Sequence, residues 1–530
     1  MTDPTSLAGD RRHDLDALRA VAMLLGIVLH GAMSFLPWQG AWVIQDTRTS
    51  SAFGVILSMI HGFRMPLFFL ISGFFTAMLW RKRGMQALLA HRFKRIVVPM
   101  VIGLLTIIPT IWIVSIYVGY QVSQSATEDA ATGSKTNDPV DADGFVLAAS
   151  RGDSDAIESW IQKGRDVNAK TEDGSTALHV SILFGHYQTT KQLIEAGADV
   201  NARNQRGERC IDSLQAPWAV TAFVAGMLKV DVTEAEVDQG RSRIAKLIDD
   251  RNQSDEASMM LAGKTTASQA GTEPAQGSGL GQLKAFLLYF PILGHLWFLW
   301  FLCWLVLGFA FVVSIARVTG IGTLPSGIAI SRLRYLGLIP LTAIPQSLMN
   351  QPGNMFGPDT SLGILPIPTV LAYYAIFFGF GALYFESHDR EGFVGRRWWI
   401  TLPMAMVLIY PASLAARSLP EEVGHALQVL CEVSYAWLMC FGLMGLFRRF
   451  CSTSSKTMRY ISDSSYWLYL VHIPLIIYLQ YFVREWPVPP WLKFSLVCLV
   501  SSTLLLASYQ WFVRYTPIGT LLNGPRRRPI

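Results

Sequence analysis

Charged residues are scarce in this chain. Asp, Glu, Lys and Arg make up 15% of its 530 residues, whereas about 25% is usual in a soluble globular protein. Hydrophobic residues reach 51% and aromatic residues 12%. This balance argues against a soluble protein and predicts a chain that lies in a lipid bilayer.

Cysteine is also rare, and its spacing is irregular. None of the six cysteines belongs to a CxxC pair, and four of them lie in apolar segments (Cys303, Cys431, Cys440 and Cys498). The sequence therefore predicts neither a disulfide framework nor a zinc site, and no bound metal is expected. The residues before Arg11 are polar and acidic, unlike a cleavable leader, so we expect the first apolar segment to insert and to remain.

The basic residues form short runs beside apolar segments. RKRG at 81–84 and RRR at 526–528 are two of these runs, in a chain whose net charge is +6. Such a placement is typical of the positive anchors that flank membrane helices. Nucleic-acid binding, the other common function of basic runs, is therefore not expected.

Ten apolar segments are long enough to cross the hydrocarbon core, which takes about 20 residues of helix. They cover residues 15–36, 53–80, 96–119, 294–315, 333–350, 366–386, 397–417, 423–447, 464–483 and 492–514. Residues 283–293 are too short to cross, and we interpret them as an interfacial helix. The predicted fold class is all-α, a polytopic membrane protein of about ten transmembrane helices.

The charge of the loops predicts the orientation. Residues 81–95 and 447–459 are strongly basic, while residues 350–365 and 418–422 are neutral to acidic. With ten crossings, all basic loops fall on one side of the membrane together with both termini. Because positive loops remain in the cytoplasm, we expect a multi-pass protein of the bacterial inner membrane with both termini cytoplasmic.

One loop carries a sequence repeat. DVNAK at 166–170 recurs as DVNAR at 199–203, a period of 33 residues, with Thr176, Leu178 and His179 between them in a T-x-L-H pattern. This combination is typical of ankyrin repeats. A shorter copy covers 143–168, a degraded third copy begins at 206–214, and residues 226–260 predict one or two further helices. Residues 261–282 are typical of a flexible tether.

The loop divides the chain into three parts. Residues 1–119 and 283–530 form the two parts of the membrane domain, and residues 120–282 form the ankyrin-repeat insert between the third and fourth helices. By the same parity argument, the insert lies on the periplasmic side. Its partner is expected to be a protein or a glycan.

Ionisable residues inside apolar segments are the candidate functional residues, because burying a charge in a bilayer is costly. They are Arg19, His30, His61, Arg64, His295, Glu432 and His472. At about 1.5 Å per residue, His30 lies about 8 Å and His61 about 12 Å below the outer surface of the core. Arg64 lies about 16 Å below it, on the same helix face as His61.

Each of these residues also has a structural interpretation. Arg19 would extend toward the interface, and His295 would cap its helix or lie at the headgroups. Glu432 would hydrogen-bond a neighbouring helix, and His472 would satisfy backbone groups freed by Pro474. Arg64 is too deep for such an explanation, unless Glu432 pairs with it.

Five motifs occur in a fixed order: R-x10-H at Arg19 and His30, HGFRMPLFFLISGFF at 61–75, RFKRIVVPM at 92–100, GHLWFLWFL at 294–302 and SSYWLYLVHIPL at 464–475. This set resembles the integral-membrane acyltransferase family 3, and most closely its glucans biosynthesis protein C branch. The resemblance covers nearly all of the chain outside 120–282. The ankyrin insert departs from the family pattern and leaves the acceptor open.

The resemblance implies transfer of an acyl group, succinyl or acetyl, from cytoplasmic acyl-coenzyme A to a hydroxyl of an extracytoplasmic glycan. It implies His30 and His61 as catalytic residues, and Arg19, Arg64, His295 and His472 as substrate-binding residues. Acyl-coenzyme A is then a substrate, and no permanently bound cofactor is expected. Histidine suits proton transfer from a hydroxyl, and arginine suits binding of coenzyme A phosphates.

Three questions remain open at this stage. His30 either acts as a base or forms an acyl-imidazole. A transporter or channel, or a membrane anchor for an ankyrin binding module, remains an alternative function. Arg64 is hypothesised to bind the free carboxylate of a succinyl group.

Overall fold

The computed structural model describes residues 12–37, 42–132, 142–171, 174–204, 209–216, 218–228, 230–261, 287–288, 291–320, 327–331, 333–349, 356–389, 391–524 and 526. Within these ranges the regular structure is helical, with a single isolated β-bridge between Arg203 and Arg209. Nearly all of the expected tether (261–282) and most of the expected interfacial helix (283–293) lie outside the described residues. The chain divides into two compact units, of which the second comprises the described residues within 124–290.

The first unit begins with two long helical stretches. Helix α1 (His13–Met33) is followed by α2 (Ala52–Arg92), which passes through a π-helical segment (Phe93–Val97) into α3 (Val98–Thr132). Helix α2 bends at Gly84, whose φ is +80°. This bend lies in the basic stretch that the sequence predicts as a loop.

The second unit consists of short helices and one long helix, α9. They are α4 (Ala142–Ser150), α5 (Ser154–Gln162), α6 (Ala177–Leu183), α7 (Tyr187–Glu195), α8 (Trp218–Leu228) and α9 (Glu234–Leu261). Thr176 and His179 form a capping box at the start of α6. The Asn168 side chain accepts a hydrogen bond from the Asp199 amide at 2.8 Å, which ties the two DVNA loops together. The helical repeats agree with the sequence prediction, and α9 accounts for the helix expected in 226–260.

The first unit resumes with its remaining helices of seven or more residues. They are α10 (Trp297–Thr319), α11 (Arg334–Ser347), α12 (Pro368–Glu386), α13 (Trp398–Ala416, with a π-helical segment at Met404–Ile409), α14 (Glu421–Phe450), α15 (Lys456–Val483), α16 (Pro490–Ser508) and α17 (Pro517–Asn523). A short 3-10 helix (Gly294–Leu296) precedes α10. The aromatic core includes the rings of Phe377 and Trp437, stacked 4.0 Å apart.

Eight helical stretches in the described residues are long and apolar enough to cross a membrane. One of them, Ala52–Val122, contains two of the ten expected crossings. The crossing expected at 333–350 is not among the eight, because α11 has 14 residues and contains Pro340 and Pro345. The all-α membrane fold with ankyrin repeats is confirmed, whereas the count of ten stays a prediction.

Contacts along the helices define their relative directions. Arg81 bonds Glu386 and the Phe69 ring contacts the Tyr374 ring, so α2 and α12 run parallel. Gln346 bonds Glu432 and the Tyr335 ring contacts the Phe441 ring, so α11 and α14 run antiparallel. Helix α11 therefore packs along α14 in the direction that a tenth crossing requires.

Glycines permit the closest of these approaches. A Cβ atom on Gly73 would lie 1.9 Å from the Phe378 carbonyl oxygen, and one on Gly381 would lie 1.9 Å from the Leu70 carbonyl oxygen. No larger residue fits either position without moving a backbone. This close approach brings the side chains of α2 and α12 that precede the two glycines into contact, as in the Phe69–Tyr374 ring pair.

Candidate active site

Two histidines from opposite ends of the sequence meet inside the membrane unit. His30 occupies the last turn of α1, and His472 lies in the middle of α15. Nδ1 of His30 and Nε2 of His472 are 2.9 Å apart. Helices α1 and α15 run parallel, since Arg19 also contacts Ser462 toward their other ends. Sequence reasoning selected both histidines but did not predict this contact.

Hydrogen bonds assign the ring protons of this pair. Nδ1 of His472 lies 2.8 Å from the Tyr469 carbonyl oxygen and 3.1 Å from that of Leu468. Because carbonyl oxygens only accept, this Nδ1 carries the proton and Nε2 of the neutral ring is an acceptor. Nδ1 of His30 must then donate to it. The lone pair of His30 is left on Nε2, which is the nitrogen that can take a proton from a substrate.

His295 lies beside this pair. Its ring is perpendicular to that of His472 with centroids 5.6 Å apart, and its Nε2 donates to the Leu470 carbonyl oxygen at 3.0 Å. Leu470 is four residues before Pro474, which has no N–H to donate to that carbonyl. The expectation that His472 satisfies the proline site is therefore wrong, because His295 does so. Nor does His295 cap a helix as the structural alternative supposed.

Gln480 and Trp42 hold the end of α1. The side-chain amide of Gln480 donates to the carbonyl oxygens of His30 and Gly31 at 3.0 and 3.1 Å, where a helix end leaves carbonyls unpaired. Gln480 in turn accepts a hydrogen bond from the Trp42 indole at 2.7 Å. The Trp42 ring stacks on His30, with centroids 5.7 Å apart. Sequence reasoning missed both residues, although Gln480 is a polar residue inside a predicted span.

A buried ion pair secures the segment that carries Trp42. Nζ of Lys493 lies 2.8 Å from the Asp46 carboxylate, and both side chains are fully buried. Lys493 also donates to the Arg484 carbonyl oxygen at 2.7 Å. The segment between α1 and α2 is thus attached to the turn between α15 and α16.

His61 is placed by a different loop. Its Nδ1 donates to the Phe356 carbonyl oxygen at 2.9 Å, which leaves Nε2 as the acceptor nitrogen. Gly357 has a φ of +100° and packs on the backbone of Gly62. In the same loop, burial raises the pKa of the Asp359 carboxyl to about 6.

Arg64 is a cation without a carboxylate partner among the described residues. Its guanidinium lies over Gly26, where a Cβ atom would come within 2.6 Å of Nη1. Gly26 precedes His30 by one helical turn, so Arg64 faces the same side of α1 as the catalytic candidate. Nε of Arg64 is buried and has no hydrogen-bond partner.

Glu432 does not pair with Arg64. Its carboxylate accepts hydrogen bonds from Gln346 on α11 and Gln428 on its own helix, each at 2.9 Å. The structural interpretation of Glu432 agrees with these contacts. Glu432 is therefore not the counterion that would explain the deep arginine as a structural residue.

Arg19 lies about 16 Å along α1 from His30. It hydrogen-bonds Ser462 at 3.2 Å and pairs with Asp16 at 3.4 Å, and its side chain is 37% exposed. Those contacts leave guanidinium donors available. Across the described residues, no group of three His, Cys, Asp or Glu side chains could hold a metal ion.

Comparison with known proteins gives two families. A family profile described as an acyltransferase domain (Acyl_transf_3) matches residues 12–130 and 205–509, and an ankyrin-repeat profile matches residues 133–210. Glucans biosynthesis protein C of Shigella dysenteriae and that of Escherichia coli are each 36% identical over 99 residues, 19% of this chain and 24% of the relative.

The repeats also have a relative of their own. An ankyrin repeat-containing protein of Schizosaccharomyces pombe is 39% identical over 62 residues, 12% of this chain and 30% of that protein. Both kinds of relative are matched over less than a third of their length. The acyltransferase profile, in contrast, covers most of this chain and all six candidate site residues. The chain therefore belongs to the integral-membrane acyltransferase family 3, as a member that contains ankyrin repeats.

Proposed function

We propose that the protein transfers an acyl group from acyl-coenzyme A on the cytoplasmic side to a glycan hydroxyl on the periplasmic side. The observation that carries this proposal is the His30–His472 pair, whose 2.9 Å hydrogen bond leaves His30 Nε2 as a base. The His30 side chain is half-buried. Both histidines lie in the part of the chain that matches the acyltransferase profile.

In the proposed reaction the acceptor hydroxyl gives its proton to His30 Nε2 while its oxygen attacks the thioester carbonyl. The C–S bond then breaks, and the coenzyme A thiolate leaves and takes up the proton that His30 received, which returns the His30 ring to its neutral form. His472 accepts the Nδ1 hydrogen bond of His30, and this bond becomes stronger when the ring is charged. If His30 instead forms an acyl-imidazole, the same Nε2 is the attacking atom. His61 presents a second acceptor nitrogen from α2.

The two ends of α1 suit the two substrates. Arg19 lies near the end that the loop charges place in the cytoplasm, where it would bind coenzyme A phosphates. His30 lies near the opposite end, where it would meet a periplasmic acceptor. The directions of α2, α11, α12 and α14 support ten crossings, and with them an outer location for the loop that contains the ankyrin repeats.

The relatives suggest the substrates. Their name, glucans biosynthesis protein C, supports a glucan or a similar glycan as acceptor. A guanidinium at Arg64 with no carboxylate partner in the part of the chain that the structure describes supports a succinyl group in preference to acetyl. The ankyrin repeats would bind a protein or the glycan itself.

The test uses the purified full-length protein in lipid nanodiscs with succinyl-coenzyme A and a soluble β-glucan. Mass spectrometry should detect an acylated glucan with the wild type and none with His30→Ala. His425→Ala is the matched control, because His425 lies outside the site near the start of α14. Equal product from His30→Ala and the wild type would contradict the proposed role of His30, and no product from the wild type with any acyl-coenzyme A would contradict the proposed function.

A further inference from the structure

Tyr374 is a tyrosine whose hydroxyl is buried without a partner. It lies on α12 and is 0% exposed, and its hydroxyl is the only tyrosine oxygen in the described residues that is buried and unbonded. Other tyrosines of the same unit donate to backbone carbonyls. Tyr435 donates to Met59 at 2.8 Å, and Tyr469 donates to His295 at 2.6 Å.

The position of Tyr374 is set by packing alone. Its ring contacts those of Phe69, Trp297 and Phe301 at centroid distances of 4.6, 5.7 and 6.2 Å. The close contact of α2 with α12 at Gly73 holds this cluster together. An apolar cage of this kind would be filled as well by phenylalanine, so the hydroxyl adds nothing to the packing.

Arg64 is a cation within electrostatic range of this hydroxyl. The guanidinium of Arg64 interacts electrostatically with the Tyr374 and Tyr469 phenols. Its Nε, like the Tyr374 hydroxyl, is buried without a partner. Asp359 is within electrostatic range of Tyr374 but forms no hydrogen bond with its hydroxyl.

Unpaired buried donors are unusual, because most buried polar groups in proteins are hydrogen-bonded and an unmade bond is costly. Here two donors lie within electrostatic range of each other, and the charged one, Arg64, lies over Gly26 on the α1 face that carries His30. No acceptor in the described residues serves either the Arg64 Nε or the Tyr374 hydroxyl. The chemistry that satisfies a guanidinium and a phenol together is a negatively charged oxygen.

We propose that Tyr374 and Arg64 together bind an anionic oxygen of the substrate during acyl transfer. This inference rests on the proposed function and adds a substrate-contacting residue that the motifs do not include. The oxygen has two sources: the free carboxylate of a dicarboxylic acyl group, or the oxyanion that forms when the acceptor attacks the thioester carbonyl. Both need the same donors, and kinetics distinguish them.

The test compares Tyr374→Phe with the wild type, using succinyl-coenzyme A and butyryl-coenzyme A as donors in nanodiscs. Binding of the carboxylate predicts at least a tenfold lower kcat/KM for succinyl transfer and no change for butyryl transfer. Binding of the oxyanion predicts at least a tenfold lower kcat for both donors with KM unchanged. Either pattern supports the site.

Two controls make the test decisive. Tyr460→Phe removes a hydroxyl that donates to the Leu506 carbonyl oxygen at 2.8 Å, away from the histidines, and should leave turnover unchanged. The melting temperature of Tyr374→Phe should equal or exceed that of the wild type, since no hydrogen bond is lost. Wild-type kinetics of Tyr374→Phe with both donors would overturn the inference alone. A wild type that transfers neither of these groups nor any other acyl group would remove the proposed function, and this inference with it.

Discussion

Replacing His472 by leucine should slow acyl transfer without unfolding the protein. The change removes the Nε2 acceptor that lies 2.9 Å from Nδ1 of His30. In the resting enzyme this is a bond between neutral groups, but when His30 takes the substrate proton it becomes a bond to a charged ring. Hydrogen bonds to charged groups contribute about 1.5–3 kcal/mol, against about 0.5–1.5 kcal/mol for neutral ones.

Because the neutral bond of the resting enzyme is lost as well, the increase in the activation free energy is the difference between the two, about 1–1.5 kcal/mol, or a decrease in kcat of about 5- to 13-fold. KM for the donor should change little, because His472 acts through His30 and not on the substrate. The backbone carbonyls that bond His472 Nδ1 belong to residues of the same helix, so their loss should cost little stability.

The assay is the rate of acylated-glycan formation at saturating donor, measured beside the melting temperature of each variant. His472→Gln offers a neutral acceptor at the same position and should recover part of the lost rate. His425→Leu, a replacement of a histidine outside the site, should behave as the wild type. A His472→Leu enzyme that folds and turns over at the wild-type rate would refute the proposed role of the pair.

Four further predictions follow from other parts of the molecule. Arg64→Lys keeps the charge but loses the planar fork, so succinyl transfer should fall at least tenfold, about 1.4 kcal/mol, with the protein still folded; unchanged succinyl turnover would rule out the fork. Lys493→Met leaves the Asp46 carboxylate buried without its cation and should lower the free energy of unfolding by about 3–5 kcal/mol, measured by denaturation in detergent. Adding Asp46→Asn to this variant should restore part of the lost stability. Burial raises the pKa of the Asp359 carboxyl to about 6. The protonated carboxyl therefore stabilises the folded state fully below about pH 4, and this stabilisation is lost as the pH rises through 6. Asp359→Asn should raise the melting temperature at pH 8 and leave it unchanged at pH 4. A periplasm-dependent reporter fused near residue 270 should be active, and an inactive fusion with an active cytoplasmic reporter would overturn the orientation.

The helices of the membrane unit were predictable because a lipid-facing helix must be apolar along about 20 residues. The ankyrin repeats were predictable because their period and capping residues are local features, as the Thr176–His179 capping box illustrates. The limits of this reasoning appear at α11. Its length and its two prolines do not meet the usual requirement for a span, although its packing along α14 runs in the direction that a crossing needs.

The sequence allowed the candidate residues to be selected, but it did not predict their arrangement. The cost of a charge in lipid is a property of each residue, so His30, His61, Arg64, His295 and His472 could be selected one by one. The role of each residue could not be inferred from its position in the sequence. The role suggested for His472 at Pro474 belongs to His295, since the backbone carbonyl left by the proline bonds His295, while His472 bonds His30.

The sequence by itself determined the membrane class, the ankyrin repeats and which ionisable residues needed an explanation, because each follows from the chemistry of neighbouring residues along the chain. Only the tertiary structure decided that His30 bonds His472, that Glu432 bonds two glutamines, and that Arg64 and Tyr374 keep donors without a partner among the described residues. A hydrogen bond needs atoms within about 3 Å. Residues 442 positions apart come that close only when parallel helices place them at the same level.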